Sequence, residues 1–238
     1  MSEQQPPSRE TLESLLIPST ATLTSVLTEY GLYNTFMQDV APLAPGMRMA
    51  GPAFTLRYIP GREDITHVPV DNLTDMQRIG IESIGQGEVL VIDARGDTRA
   101  GVMGDILATR ILQRGAAGVV SDGAFRDTPA IVEAGLVAYA TAKNAHNSKS
   151  VHYPSDIQRP IACGGVAVFP GDIIVGDAEG VVVIPRHLAE EVAAKAVAQE
   201  DREVFILQKI QQGASIIGVY PPDEKTLAEY EAWKAKKG

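Results

Sequence analysis

Two carboxylates and a guanidinium stand at the ends of GDILATRILQRGAAGVVSDGAFRD, residues 104–127: Asp105 at its start, then twenty residues, then Arg126 and Asp127. Asp127, with Asp105, can supply hard oxygen ligands for Mg²⁺ or Mn²⁺. Arg126 offers a planar fork of donors that matches a carboxylate or an enolate oxygen. Gly104 lets an anion approach the main chain closely. If a helix starts there, the amides of Asp105, Ile106 and Leu107 lack intrahelical acceptors and can hold a carboxylate or phosphate oxygen, aided by the helix dipole. A second reading is open on the same residues. Asp105 can cap those amides itself, Arg126 can pair with Asp127, and the glycines can simply turn the chain.

The surrounding pattern decides whether these groups meet. EVLVIDARG reads as a buried strand over 88–93, Ile106, Leu107, Ile111 and Leu112 as a helical stripe over 104–114, and AGVVSDG as a buried strand over 117–122 running into a turn. A strand–helix–strand unit in one sheet crosses over right-handed, which brings the helix start and the turn Asp122–Asp127 to the same carboxyl edge. Open α/β sheets bind ligands at that edge. Upstream, Ser19 or Thr20 caps a helix with Leu23, Val26, Leu27 and Tyr30 on one face, and MRMAGPAFTLRYIPG is a bent strand or strand pair with a Gly-Pro break. Leu73, Met76, Ile79 and Ile84 form a further helical face. Residues 71–141 thus alternate helix and strand, as in a parallel layer. RPIACGGVAVFPGDIIVGDAEGVVVIP has antiparallel hairpin chemistry, and a long helix is expected over 186–212. The expected organisation is a loose tail over 1–18, one α/β domain of β/β/α type with mixed parallel and antiparallel sheets over 19–185, and a helical extension over 186–238.

The chain has 238 residues, 45% of them apolar, and a net charge of −9. It is long enough for a large core, and its charge disfavours a nucleic-acid partner. An anionic small substrate remains compatible, because an arginine or a metal reverses the field inside a cleft. Cys163 is the single cysteine and lies in an apolar setting, so it reads as a buried thiol. The opening MSEQQPPSRE lacks a charged-then-apolar leader, and there is no apolar run of spanning length. A soluble cytoplasmic protein without membrane association is expected.

The 104–127 stretch resembles the signature block of the 4-hydroxy-4-methyl-2-oxoglutarate aldolase family, which includes the ribonuclease-E-activity-regulator (RraA-like) branch. That block has an Asp, twenty residues, then Arg-Asp. CGGVAVFPGDIIVGDAEGVVVIP resembles the family's β segment, and the similarity runs from about residue 20 to about 210. The resemblance implies a swivelling β/β/α domain assembled as homotrimers or hexamers, with clefts at subunit contacts. It implies a class II pyruvate aldolase dependent on Mg²⁺ (or Mn²⁺) that acts on a small-molecule 2-oxo acid, with oxaloacetate decarboxylation through the same enolate. By position, Asp127 would hold the metal, Arg126 the pyruvyl oxygen, and the backbone of Gly104, Asp105, Ile106 and Leu107 the pyruvate carboxylate. Asp105 would orient water or share in proton transfer.

The alternative is a non-catalytic regulator that binds a ribonuclease or another protein, as that branch of the family does. A methyltransferase lacks support, since no glycine-rich nucleoside-binding loop follows an early strand. Asn144, His146, Asn147, Lys149 and His152 gather in NAHNSKSVHYPSD, which either meets the far end of a diacid or is a solvated loop. His67 and His187 stand alone, Gly85-Gln86-Gly87 precedes a strand and reads as a turn, and Asp177 and Glu179 read as hairpin-tip residues.

Overall fold

The computed structural model describes residues 7–66 and 69–236. Helices α1 (Arg9–Ser14) and α2 (Thr20–Glu29) come first, then a short strand β1 (Ala41–Pro42) and the long strand β2 (Met49–Pro60). The helical turn α3 (Glu63–Thr66) and helix α4 (Met76–Ser83) lead into a parallel series: β3 (Val89–Asp93), β4 (Gly101–Met103), α5 (Asp105–Gln113), β5 (Gly118–Phe125), α6 (Thr128–Glu133) and β6 (Ala138–Lys143). Strands β7 (His152–Ile157), β8 (Ile161–Cys163), β9 (Val166–Val168), β10 (Ile173–Gly176) and β11 (Val181–Ile184) follow, then α7 (Ala189–Gln211) and α8 (Glu224–Ala235).

The main sheet runs β1-β6-β5-β3-β2-β10-β11, with β4 beside β5 and β7 beside β2. β2 joins its two halves. Met49–Pro52 pairs antiparallel with β10, Ala53–Arg57 pairs parallel with β3, and Leu56–Pro60 pairs antiparallel with β7. The expected Gly-Pro break is therefore the point at which one strand changes partners.

Alternation along the strands builds the layers. Leu90, Ile92 and Val119 face Ile81, Ile111 and Ile131 of α4, α5 and α6. Val89, Val91 and Val120 face Ile174, Val181 and Val183 of the β10–β11 hairpin, with Cys163 and Val166 between. The opposite residues of that hairpin, Ile173, Val175 and Val182, pack on Leu23 and Leu27 of α2 and on Val192 and Ala196 of α7. All eight residues of β5 are buried, as parallel strands covered on both faces must be. The mixed-sheet β/β/α architecture with helices at both ends is the one expected.

Four local expectations give way. The tail over 1–18 is helical from Arg9 to Ser14, capped by Ser8 Oγ on the Thr11 amide (3.1 Å), and Leu15 is fully buried beside Leu23 and Val192. The 185/186 boundary is not a break in packing, because Ala189, Val192, Ala193 and Ala196 belong to the same core cluster as Ile173. Only the later turns of α7 join α8 in a separate cluster of Phe205, Ile206, Val219 and Tyr230. The expected turn at Asp122–Phe125 is strand, since β4 extends the pairing to Ala124 and Phe125. Finally, the buried face of α4 is Gln77, Gly80 and Ile81, whereas Leu73 precedes the helix and is 85% exposed.

Candidate functional site

β4 and β5 run parallel, with Gly101 opposite Ala124 and Met103 opposite Phe125. They end together. β4 passes through Gly104 into α5, and β5 passes through Arg126 and Asp127 into α6. The Arg126 amide donates to the Met103 carbonyl at 3.0 Å and locks the two exits side by side. Around them lies a cleft of about 210 Å³, lined by residues 101–107 and by Arg126 and Asp127. All six residues anticipated from the sequence, Gly104, Asp105, Ile106, Leu107, Arg126 and Asp127, border this one cavity.

Asp127 sits in the left-handed region at φ 54°, ψ 30°, which Asp tolerates better than most residues. It occupies the N-cap position of α6, yet its side chain caps nothing there. Its Oδ2 instead accepts from Arg126 Nε at 2.9 Å and lies so close over Gly104 that a β-carbon there would stand 2.6 Å from it. The Arg126 and Asp127 side chains are 37% and 38% exposed, so their pairing is worth at most about 1 kcal/mol to stability. The Nη groups of Arg126 make no hydrogen bond among the described residues and remain open for a ligand.

Both readings of Asp105 have a counterpart here. Gly104 is the N-cap of α5 and has no side chain to offer. Asp105 Oδ1 accepts from the Ile106 amide at 2.8 Å, so the carboxylate takes one of the three expected anion donors. The amides of Asp105 and Leu107 lie in the first turn without intrahelical acceptors, on residues that line the cleft. Ile106 itself is 79% exposed at the rim.

Among the described residues no three of His, Cys, Asp and Glu converge into a closed metal cage. The cleft provides the carboxylates of Asp105 and Asp127. That donor set fits Mg²⁺ or Mn²⁺, which bind through one or two carboxylates and complete their shells with water and substrate oxygens. It does not fit a tetrahedral nitrogen–sulfur site.

The structure also adds residues that sequence reasoning missed. Gln77 and Arg78, from the first turn of α4, line the cleft. Of the 144–156 stretch, Asn147 and Ser148 reach it and His146 and Lys149 do not. Asn144 instead folds its own loop, donating to the Thr98 carbonyl (2.9 Å) and accepting from the His146 amide (2.9 Å). His152 is buried in β7 with Nδ1 3.1 Å from Arg95 Nη2. Burial and the Arg95 charge push its pKa down. His187 is exposed, and His67 lies outside the described residues. Cys163 is fully buried, which pushes its thiol pKa well up.

Asp177 is an anchor rather than a simple turn residue. Its carboxylate accepts from the Thr20 amide and hydroxyl, both at 2.8 Å, and so holds the start of α2. Asp122, within β5, is buried and accepts from the amides of Ala94 (2.7 Å) and Gly96 (3.0 Å). Burial outweighs those bonds and pushes its pKa up to about 6.

Residues 20–183, which include Asp105, Arg126 and Asp127, match the RraA-like family model, described as Aldolase/RraA. A protein of Halalkalibacterium halodurans provisionally named 4-hydroxy-4-methyl-2-oxoglutarate aldolase is 36% identical over 166 residues, covering 70% of this chain and 73% of that one. Protein DlpA of Legionella pneumophila is 30% identical over 205 residues, covering 86% of this chain and 32% of its own, so the chain spans about a third of that relative's length. Among solved structures, Streptomyces coelicolor RraAS2, described as an unusual member of the RNase ES inhibitor RraA protein family, superposes with a TM-score of 0.76 at 33% identity, covering 85% of this chain and 98% of that one. With the matched segment spanning both sheets and the cleft, the chain belongs to the RraA-like family.

Proposed function

We propose that the chain is a divalent-metal-dependent lyase. It cleaves 4-hydroxy-2-oxo acids, such as 4-hydroxy-4-methyl-2-oxoglutarate, to pyruvate and a carbonyl product, and decarboxylates oxaloacetate as a side reaction. One observation carries this reading: the free Nη groups of Arg126, the Asp127 carboxylate and the first-turn amides of α5 border the same small cavity. The names of the aldolase relatives support it.

The amides of Asp105 and Leu107 hold the 2-oxo acid's carboxylate at the positive end of α5. Asp105 releases the Ile106 amide as the anion enters, which adds a third donor. Asp127 would hold Mg²⁺ or Mn²⁺ with Asp105 nearby, and the bound ion supplies a Lewis acid for the keto oxygen. Arg126 donates to that same oxygen, where charge gathers as the C3–C4 bond breaks. Asp105 takes the proton of the C4 hydroxyl. The C3–C4 electron pair becomes the enolate of pyruvate, and a proton returned to C3 completes the product. Loss of CO₂ from oxaloacetate leaves the same enolate. Copies of the chain assemble into a trimer or hexamer, a state that light scattering would measure directly.

Pyruvate release from 4-hydroxy-4-methyl-2-oxoglutarate and oxaloacetate, coupled to lactate dehydrogenase with Mg²⁺ and then with chelator, is the test. Turnover is expected only with metal. Asp127→Ala should abolish it, and Arg126→Ala or Arg126→Lys should lower it by about 10²-fold or more. Unchanged turnover in Arg126→Ala removes the assignment. No turnover in the metal-loaded wild-type chain leaves the regulator reading, which the likeness to RraAS2 supports.

A further inference from the structure

We infer that Arg78 is the specificity-determining residue of the cleft and binds the second carboxylate of a 4-hydroxy-2-oxo diacid, the one remote from the pyruvyl half. This rests on the lyase reading above.

The position of Arg78 is built, not incidental. Asp75 caps α4 by accepting the Arg78 amide at 3.1 Å. Gln77, itself buried, donates from Nε2 to the Val102 carbonyl at 2.6 Å. The first bond fixes the start of α4, and the second ties that turn to β4, the strand that runs directly into Gly104–Leu107. Arg78 lines the same cavity as Arg126 and Asp127. Its Nε is sealed from solvent and has no hydrogen-bond partner, and no ion pair or side-chain hydrogen bond engages the guanidinium among the described residues. Nearby arginines differ: Arg110 grips Glu82, and Arg126 holds Asp127. A buried guanidinium nitrogen without an acceptor is costly and rare. Nε itself has no accessible surface, so a ligand in the cleft would meet the guanidinium at its Nη groups, which make no hydrogen bond among the described residues.

Charge identifies that ligand. The ionised side chains on the cavity are Arg78, Arg126, Asp105 and Asp127, two of each sign, which cancel. A bound divalent cation then leaves two positive charges, matched by a dianion. A monocarboxylate engaged by the α5 amides would leave Arg78 unpaired. Asn147 and Ser148, also on the cavity wall, add neutral donors suited to the same carboxylate.

The test compares matched ligands on wild type, Arg78→Met and Arg78→Lys. The substrates are 4-hydroxy-2-oxoglutarate and 4-hydroxy-2-oxopentanoate, which differ only in carboxylate against methyl at the far end. Arg78→Met should lower kcat/KM for the diacid by about 10²-fold, chiefly through KM, and leave the monoacid within about threefold, while Arg78→Lys recovers part of the loss. Calorimetric binding of 2-oxoglutarate and 2-oxopentanoate, which carry no 4-hydroxyl to cleave, reads the same contrast without turnover. Wild type should prefer the diacid by at least about tenfold and Arg78→Met should show no preference. Equal loss on both substrates would assign Arg78 to the pyruvyl half and overturn the inference. So would a wild type that cleaves both without preference, although the lyase reading would survive. If neither substrate yields pyruvate the lyase reading falls, and the binding pair alone then decides: a diacid preference lost in Arg78→Met supports the carboxylate assignment, and its absence overturns it.

Discussion

Gly104→Ala tests the placement of Asp127 without altering a charged group. Gly104 has φ −119°, ψ −173°, extended backbone that alanine adopts freely. The new β-carbon would stand 2.6 Å from Asp127 Oδ2 and 3.3 Å from Arg126 Cγ, where ordinary contact begins at 3.4 Å. The carboxylate must retreat by about 0.8 Å, close to the ~1 Å misplacement that costs about 10²-fold in rate. It can do so cheaply, because the side chain is 38% exposed and its partner is the flexible Arg126. Exchanging glycine for alanine at an N-cap costs about 0.5 kcal/mol, and restricting the unfolded chain offsets about 0.4–1 kcal/mol. The melting temperature should therefore stay within about 3 °C of wild type, while kcat/KM for metal-dependent pyruvate release falls about 10²-fold. Differential scanning calorimetry and the coupled assay measure the two quantities on one preparation. Wild-type turnover in Gly104→Ala would take Asp127 out of the chemistry. A large fall in melting temperature would contradict a carboxylate free to move.

Three further outcomes concern stability. Asp177→Ala removes two buried acceptors from Thr20 and should cost about 2–4 kcal/mol in urea unfolding; a loss under about 1 kcal/mol would show that α2 does not depend on that anchor. Arg78→Met deletes a buried donor that lacks an acceptor, so without ligand the variant should be as stable as wild type or up to about 1 kcal/mol more so, and a clear loss would mean that the guanidinium is satisfied within the fold. Asp122 is raised to about 6 by burial, so the folded state holds its proton more tightly than the unfolded chain. Its stabilising contribution is full below about pH 4 and is lost as pH rises through about 6. His152, held low, acts in the opposite direction, so the useful quantity is wild type minus Asp122→Asn. That difference should shift toward wild type by about 2–3 kcal/mol between pH 7 and pH 4, and a flat difference would contradict a buried, protonatable Asp122.

Much of the scaffold could be read from the chain because its signals are local. Unbroken apolar runs in EVLVIDARG and AGVVSDG mark strands buried on both faces, and the right-handed crossover places the start of α5 and the end of β5 at one edge. That topology alone brings Asp105, Arg126 and Asp127 to one cavity. The misread elements depend on distant partners. β4 is three residues long, too short to show a period, and exists because β5 accepts it as a neighbour. Its pairing then pulls Asp122–Phe125 out of the expected turn and into strand. The polar, proline-rich opening hides Leu15, whose burial depends on α7, residues far along the chain.

The missed part of the site has one geometric cause. The apolar stripe read over the α4 region used Leu73, Met76, Ile79 and Ile84; Ile84 is fully buried, but the helix begins at Met76 and its own buried face is Gln77, Gly80 and Ile81. A shift of one position turns a helix face by about 100°, so the stripe gave no sign that Arg78 borders the cleft. The usable signal was a polar residue on a buried stripe. Gln77 can occupy that face only if a partner takes its amide, and Val102 in β4 does so. The acceptor that Gln77 needs places α4 against β4, and Arg78 beside the turn at Gly104–Leu107. A polar side chain on an otherwise apolar helix face therefore specifies which neighbour must pack there, and here that neighbour is the strand leading into the site.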